Sequence, residues 1–192
     1  NLQIVGAVDA DPAKVGKDVG VLAGLAPLGV AVKPDIAQAL AGQSADVVLL
    51  TTSSALTRIA DQLKQVLPFG VHVVSSCEEL SYPWQTNPAL AGEIDELAKK
   101  HGVSVLSTGV NPGFLMDFLP IAMTGVCKSV RQVTVERIQD ATFRRIPFQK
   151  KIGAGLTRAE FQAKVEQGVL RHVGLTESVQ MIASRLGWRL DS

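Results

Sequence analysis

Two adjacent glutamates lie in the stretch SSCEELSYPW (75–84), directly after an apolar, β-branched run. A carboxylate that neighbouring aromatic rings, here Tyr82 and Trp84, partly shield from water can accept or donate a proton during a reaction. Glu78 and Glu79 are therefore candidate catalytic residues. The alternative is a solvated acidic first turn of a helix, which is the usual role of a Glu-Glu pair.

Four small hydroxyl side chains end another apolar run in LLTTSSALT (49–57), just before a helical pattern. Backbone amides and hydroxyls at such a turn can approach a pyrophosphate or a nicotinamide ribose, and a helix N-terminus favours their negative charge. Thr51, Thr52 and Ser53 are therefore candidate cofactor-binding residues. The alternative is N-capping of the helix by Ser53 or Ser54 alone.

The run IVGAVD ends in Asp9, and a carboxylate at the end of a strand can accept the ribose hydroxyls of NAD. Alternatively, Asp9 or Asp11 caps a helix that begins at Pro12. Lys14 and Lys17 are close enough in sequence to tolerate a 2′-phosphate. The predicted cofactor is therefore NAD or NADP.

Two further polar residues are candidates. Asn111 offers a side-chain amide at the Asn-Pro-Gly turn of STGVNPGFLMDFLP, which is otherwise a plain turn. His172 in HVGLTES can donate a hydrogen bond to a substrate, although a lone histidine is more often structural. The basic stretch RRIPFQKKIGAGLT (144–157) is more typical of a solvated loop than of a binding site, and GAGLTR lacks the third glycine of a phosphate loop.

These residues must be positioned by the elements that precede them. Short β-branched runs predict strands at 4–9, 30–32, 46–51, 71–76 and 103–108. Helical patterns lie between the runs, most clearly at 54–67 and 87–102. Because the runs are apolar on both faces, they predict an α/β fold, a Rossmann-like doubly wound parallel sheet with helices on both sides. Its ligands bind at the carboxyl ends of the strands, where the candidates lie.

A Gly-x-Gly-x-x-Gly loop normally lies roughly 20 residues before the ribose-binding acid. Only eight residues precede Asp9, and the motif occurs nowhere else in the chain. We therefore expect the first βα unit of the fold to be missing. We also expect residues 1–192 alone to bind NAD weakly or not at all.

The pattern changes near residue 127. VRQVTVERIQDAT (130–142) alternates and predicts a long strand with Arg137 and Gln139 on one face, as in a strand that enters a site. Two helical patterns follow, at 157–170 and 176–187. We therefore predict an incomplete nucleotide-binding domain over 1–126 and the beginning of an α+β substrate and dimerisation domain over 127–192.

Composition favours a globular protein that binds a small molecule. Of 192 residues, 46% are hydrophobic, and 19 basic against 18 acidic residues leave a formal charge of +1. This balance argues against nucleic acid or an anionic membrane as a partner. Neither a membrane span nor a signal peptide is predicted, so the expected location is the cytoplasm. Cys77 and Cys127 have no metal-binding spacing, and we expect both as free thiols packed in the core, with no metal site.

Taken together, the motifs resemble the 2,4-diaminopentanoate dehydrogenases, part of a wider group similar to dihydrodipicolinate reductase and related to the native amine dehydrogenases. The stretches that carry the resemblance are VGAVDADPAKVGKDVG, TTSS, CEELSYPW, TGVNPGF, ERIQDAT, KIGAGLT and HVGLTESVQMIA. The resemblance implies an NAD(P)-dependent oxidative deamination of 2,4-diaminopentanoate to 2-amino-4-oxopentanoate and ammonia, as in ornithine breakdown. It also implies a homodimer.

The resemblance also implies roles for particular residues. Glu79, favoured over Glu78, binds the reacting amine and relays protons. Asn111, Arg137 and Gln139 recognise the substrate carboxylate, although the family more often has Asn where Gln139 stands. The full set of candidate substrate-binding residues is Asn111, Arg137, Gln139, Tyr82 and His172. Asn111 is also a candidate cofactor-binding residue.

Two alternatives remain. One is a reductase of a cyclic imine like dihydrodipicolinate reductase, although this sequence has no His-His pair such as that enzyme uses. The other is a non-catalytic nucleotide-binding module or remnant. A glycine loop upstream of Asp9 would favour the enzyme, whereas a remnant can lack it.

Overall fold

The computed structural model of the chain describes residues 2–170 and 172–190. These residues form two compact units. The first unit comprises the chain up to Ser75 together with Ala89–Leu106. The second comprises Ser76–Pro88 together with the chain from Ser107 onward. The predicted domain boundary at residue 127 stays a prediction.

Parallel strands and intervening helices confirm the α/β class. In the first sheet β1 (Ala7–Val8) pairs in parallel with β2 (Val32–Lys33). In the second sheet β3 (Val47–Leu50), β4 (His72–Ser75) and β5 (Val105–Ser107) lie in that order, with β3 and β4 parallel. Each strand overlaps one of the five predicted runs, so the carboxyl ends of the strands lead into the stretches that carry the candidate residues.

Eight α-helices lie within the described ranges. They are α1 (Val19–Leu22), α2 (Ile36–Ala39), α3 (Leu56–Val66), α4 (Pro88–His101), α5 (Phe118–Thr124), α6 (Ile146–Lys151), α7 (Arg158–Glu166) and α8 (Leu175–Leu186). Two short 3-10 helices span Leu67–Phe69 and Glu78–Leu80. No helix in these ranges is long and apolar enough to cross a bilayer.

The core of the first unit is built on α3. Its buried side chains are Leu56, Ile59, Ala60, Leu63 and Val66, the spacing of one helix face. Burying each large apolar side chain contributes about 1.5–3 kcal/mol. On β3, Leu50 is 7% exposed and Leu49 is 67% exposed. Within residues 2–170 and 172–190, no helix covers the face of β3 that carries Leu49, unlike the expectation from its apolar sequence.

The helix predicted to begin at Pro12 does not form. The Asp11 carboxylate instead accepts a hydrogen bond from the backbone N–H of Ala13, at 2.9 Å, and closes a turn. Gly16 ends that turn with a φ of 83°, a conformation that stops a helix. The first helix is α1, which begins seven residues after Pro12.

Asp18 is the N-cap of α1. Its carboxylate accepts backbone hydrogen bonds from Gly20, Val21, Leu28 and Val30 at 2.8–3.2 Å. These bonds, chiefly that from Leu28, lower the pKa of Asp18 below its ordinary value. A single carboxylate therefore links the helix start to the loop that leads into β2.

The strand predicted over 130–142 is absent. Residues 131–141 contain neither helix nor strand, although Arg137 and Gln139 do point the same way. A strand needs a partner for its backbone groups, and no strand within the described ranges pairs with this segment. The alternation correctly predicted the shared face but not the pairing.

The two cysteines differ in environment. Cys77 is buried and forms no disulfide within the part of the chain that the structure describes. Burial raises the pKa of the Cys77 thiol to about 11, so the thiol stays protonated at neutral pH. Cys127 is exposed, which corrects the expectation that it packs in the core.

Candidate active site

A cavity of about 230 Å³ lies in the second unit and brings together residues that are far apart in sequence. It is lined by Glu79, Thr86, Asn87, His172, Val173, Gly174, Thr176 and Glu177. Most of these side chains carry a carboxylate, an amide, a hydroxyl or an imidazole. Such a lining is suited to a small polar ligand.

The 3-10 helix after β4 positions the two glutamates. Its flanking Cys77 and its last residue Leu80 are buried, whereas Glu78 and Glu79 are half-buried. Ser107 fixes this segment from outside, because its hydroxyl donates a 2.6 Å hydrogen bond to the Cys77 carbonyl. The anchored ends hold Glu79 at the cavity wall.

Gly174 allows the segment carrying His172 to pack closely beside the glutamates. Its φ of 89° lies in the left-handed region, and it is the N-cap of α8. A Cβ at this position would lie 2.5 Å from Cδ of Pro112 and 2.9 Å from Cβ of Glu78. Any side chain there would therefore collide with both neighbours.

Asp117 joins the turn after Asn111 to α8. The carboxylate is fully buried and accepts hydrogen bonds from the backbone N–H groups of Gly113 (2.8 Å) and Phe118 (2.6 Å). It also accepts a 2.7 Å bond from the buried Ser178 hydroxyl. This buried network fixes the position of α8 relative to the turn that carries Asn111.

Asn111 and His172 contact each other directly. The Asn111 Nδ2 lies 3.0 Å from the His172 Nε2. Since the amide nitrogen can only donate, the ring nitrogen accepts, and the neutral imidazole carries its proton on Nδ1. The buried Asn111 Oδ1 has no hydrogen-bond partner among the described residues. A buried acceptor without a donor fits a ligand that supplies an N–H or O–H group.

The surroundings of His172 favour its neutral form. Partial burial lowers the pKa of His172, and the positive charges of Lys151 and Arg137 lower it further. The Glu78 carboxylate acts in the opposite direction and is outweighed. Side chains of both charges therefore influence the pKa of the His172 imidazole.

Arg137 and Gln139 lie together, as the alternation predicted. The Arg137 Nη2 donates a 2.6 Å hydrogen bond to the Gln139 Oε1. Both side chains are exposed and neither lines the cavity. Tyr82 is half-buried and also lies outside the lining. Of the sequence candidates in this unit, the cavity itself contains Glu79 and His172.

Asp9 follows β1 in the first unit. Its Oδ2 accepts a 2.6 Å hydrogen bond from the Lys14 Nζ, and its Oδ1 accepts a 2.9 Å bond from the Asp11 N–H. The bond from Lys14 is the main reason that the pKa of Asp9 is lowered. An ionised carboxylate at this place fits ribose hydroxyls, and the adjacent ammonium group fits a phosphate.

The hydroxyl turn after β3 does not cap α3 in the expected way. The N-cap is Ala55, whose methyl group cannot accept a hydrogen bond. The Ser53 hydroxyl instead accepts a 3.2 Å hydrogen bond from the Ala55 N–H. Thr52 donates to the Gln62 Oε1 at 2.6 Å, and Thr51 is exposed. The alternative that Ser53 or Ser54 is the N-cap is therefore wrong.

Comparison with known proteins agrees with these motifs. Residues 114–192 match the sequence model of the 2,4-diaminopentanoate dehydrogenase C-terminal domain. A 2,4-diaminopentanoate dehydrogenase of Acetoanaerobium sticklandii is 43% identical over 151 residues, which are 78% of this chain and 43% of that protein. The chain belongs to the 2,4-diaminopentanoate dehydrogenase family.

Other relatives of this family member extend the comparison. The solved structure of an amine dehydrogenase from Mycobacterium smegmatis aligns with a TM-score of 0.76 and 29% identity, over 99% of this chain and 56% of that chain. A 4-hydroxy-tetrahydrodipicolinate reductase of an Anaeromyxobacter species is 56% identical over 52 residues, 27% of this chain and 18% of that protein. The chain thus spans about half the length, or less, of the relatives that it matches.

Two acidic residues of this 2,4-diaminopentanoate dehydrogenase family member were not among the sequence candidates. Glu177 lines the cavity, and Asp117 is the centre of the buried network. In the sequence, Glu177 has the position of an ordinary acid in a first helical turn, and Asp117 lies in an apolar run. An acid within an otherwise apolar segment was the available signal for Asp117.

Proposed function

We propose that the protein is an NAD(P)-dependent dehydrogenase that oxidatively deaminates an amine, with 2,4-diaminopentanoate as substrate. The products are 2-amino-4-oxopentanoate and ammonia. The observation that carries the proposal is the polar cavity in which Glu79 and neutral His172 meet. Family membership supports the reaction class.

The residues present fit a nicotinamide cofactor. The fit rests on the ionised Asp9 after β1 and on the buried Asn111 Oδ1, which lacks a partner among the described residues. When bound, NAD(P)⁺ supplies the hydride acceptor. The residues of the first unit that would hold it are Asp9, Thr51, Thr52 and Ser53, and Asn111 is a separate candidate within the second unit. Lys14 beside Asp9 supports NADP as well as NAD.

Glu79 is the proposed proton relay. Its carboxylate accepts a proton from the substrate ammonium group, which leaves the neutral amine that can lose a hydride from its carbon. After Glu79 has passed that proton to solvent, its carboxylate accepts a proton from the water that adds to the resulting iminium carbon and returns this proton to the nitrogen. Breaking the C–N bond releases ammonia and leaves the ketone. The cycle consumes one water and transfers one hydride.

The substrate carboxylate is the proposed ligand of Arg137. The Gln139 amide oxygen holds the guanidinium in place, and a planar guanidinium can bind a carboxylate through two hydrogen bonds. Asn111, Tyr82 and His172 are the other proposed substrate contacts. Since the neutral His172 keeps its proton on Nδ1, that nitrogen can donate to a substrate oxygen.

A cyclic-imine reductase is the second candidate, favoured by the 52-residue match to a 4-hydroxy-tetrahydrodipicolinate reductase. That match covers about a quarter of the chain, whereas the 2,4-diaminopentanoate dehydrogenase match covers most of it. Assays in both directions distinguish the two candidates. A dehydrogenase oxidises an amine with NAD(P)⁺, whereas a cyclic-imine reductase reduces an imine with NAD(P)H.

Substitution of Glu79 tests the proposed role. In the full-length protein, Glu79→Gln should lower kcat with 2,4-diaminopentanoate by about 100-fold or more, because a general base contributes 10²–10⁴-fold. Cofactor affinity, measured by fluorescence titration, should not change. Glu166→Gln removes the same charge from an exposed site on α7 and should keep wild-type turnover. Wild-type turnover in Glu79→Gln would rule out the relay.

A further inference from the structure

Asn111 turns the wrong atom of its amide towards a carboxylate ligand. Its Nδ2 lies 3.0 Å from the His172 Nε2, while its Oδ1 is buried and has no partner among the described residues. An ionised carboxylate can only accept hydrogen bonds, and so can a carbonyl oxygen. This amide orientation therefore excludes a substrate carboxylate from the position that Oδ1 faces, although Asn111 is a proposed substrate contact.

The Nε2 atom of His172 determines this orientation. When Nε2 carries no proton, it offers a lone pair, so the Asn111 amide must turn its N–H towards the ring. When Nε2 carries a proton, it is a donor and requires the amide oxygen instead. The orientation of the Asn111 amide and the protonation of Nε2 are therefore coupled.

Reversal of the Asn111 amide needs no additional space. The oxygen and nitrogen ends of a side-chain amide are nearly the same in size and shape, and the terminal torsion of asparagine is broad and roughly two-fold. Reversal places Nδ2 where Oδ1 now lies and leaves the backbone and the His172 ring unmoved. The buried acceptor without a partner is thereby replaced by a donor at the same place.

The charges near His172 favour the reversed amide once an anion binds. Lys151 and Arg137 both disfavour a proton on the ring, whereas Glu78 favours one. The cavity that His172 lines has two more acidic groups, Glu79 and Glu177. A carboxylate that pairs with Arg137 offsets the positive charge that keeps the ring neutral. Binding of a carboxylate and protonation of Nε2 therefore assist each other.

We propose that binding of the substrate carboxylate reverses the Asn111 amide, so that Nδ2 donates to the carboxylate and Oδ1 accepts the Nε2–H of His172. The proton on Nε2 comes from solvent, and Nδ1 keeps its own proton. His172 is thus a positioning residue for the carboxylate, because it acts through Asn111. The inference rests on the proposed function and adds to it a recognition of the carboxylate that is linked to a proton.

An NMR experiment on the full-length protein, with isotope-labelled asparagine and histidine, tests the reversal directly. Without ligand and above pH 6.5, the N–H···N hydrogen bond should give a scalar coupling between Asn111 Nδ2 and His172 Nε2. Saturation with pentanoate, which has the carboxylate but no amine, should remove this coupling and place a proton on Nε2. Pentan-2-amine, which has an amine but no carboxylate, should leave the coupling in place.

Asn111→Asp separates the two functions of the amide, because a carboxylate accepts the Nε2–H of His172 but donates nothing to a ligand. The pKa of His172 should rise in this variant. Pentanoate should bind roughly tenfold to 100-fold more weakly by calorimetry, the effect of one lost hydrogen bond to a charged group. Gln162→Glu makes the same change from amide to carboxylate at an exposed position of α7 and should alter neither value.

Calorimetry of the wild type in buffers of different ionisation enthalpy should also show proton uptake when pentanoate binds. Pentanoate that does not bind, or that binds with the coupling intact, would overturn the inference and leave the proposed deamination to be judged by its own turnover assay. If the coupling is lost with pentanoate but no amine is oxidised, the proposed reaction fails and the amide reversal stands. If Asn111→Asp does not fold, the NMR experiment on the wild type decides.

Discussion

His172 determines which charges the cavity contains. Its partial burial, together with Lys151 and Arg137, keeps the pKa of the imidazole below its ordinary value of 6.5. At neutral pH the ring is therefore uncharged and accepts a hydrogen bond from Asn111. A protonated ring would present an N–H to the Asn111 amide nitrogen, which cannot accept one. The neutral state keeps the cavity negative and suited to a cationic ligand.

The pH dependence follows from this shift. As pH falls below 6.5, the unfolded chain binds a proton at His172 before the folded chain does, so folding stability decreases with falling pH in that window. Above 6.5 this contribution is constant. An NMR titration of the His172 ring should give a pKa below 6.5. Lys151→Ala should raise it and Glu78→Gln should lower it. A pKa at or above 6.5 in the wild type would contradict the described environment.

Single residues were predictable from sequence where the motif surrounding them was informative. Glu79 and His172 were chosen from CEELSYPW and HVGLTES, and both line the cavity. Glu177, five residues after His172, was missed because its sequence position is that of any helix-starting acid. Only packing of α8 against the rest of its unit removes Glu177 from water, and no local pattern encodes that burial.

Among the elements, α3 and α4 were predicted to within about two residues because their apolar spacing is regular. The helix expected at Pro12 failed because Asp11 bonds the backbone locally and forms a turn instead. The strand expected over 130–142 failed for a non-local reason, since strand pairing depends on a neighbour. Local hydrogen bonding and missing partners thus account for both errors.

The junction between α8 and the turn after Asn111 depends on Asp117. Asp117→Ala removes three hydrogen bonds, one of them to the buried Ser178 hydroxyl, and should lower the free energy of unfolding by about 3 kcal/mol. Both tryptophans, Trp84 and Trp188, lie in this unit, so their fluorescence during urea denaturation reports on it.

Asp61→Ala serves as the control for that experiment, because Asp61 is exposed on α3 and its replacement should change stability by less than about 0.5 kcal/mol. Asp117→Ala with wild-type stability would show that the buried network does not hold α8 in place. A midpoint shift of the same size in both variants would point to a general charge effect instead.

In the whole molecule, the candidate residues divide between the two units. The candidates for the adenosine ribose and the phosphates, Asp9 and Thr51 to Ser53, belong to the first unit, and the cavity belongs to the second. The family model begins at residue 114 and so covers most of the second unit. The cavity is negative in a chain of net charge +1, so attraction of a cation is a local property of the site.

The expected homodimer stays a prediction. Three large apolar side chains in and beside the unpaired segment support it, because Val126, Ile138 and Phe143 are at least 90% exposed. Exposed apolar groups of this kind are often covered by another chain. We expect the mass of the full-length protein in solution, measured by light scattering, to be twice that of one chain.

An initial-rate assay of the full-length protein with 2,4-diaminopentanoate and NAD⁺ or NADP⁺ tests the proposed oxidative deamination most directly. We expect one reduced cofactor and one ammonia to form for each 2-amino-4-oxopentanoate produced. We also expect a higher kcat/KM for the diamino acid than for 4-aminopentanoate. Absence of cofactor reduction with every amine tested, in a folded protein that binds the cofactor, would contradict the proposed deamination.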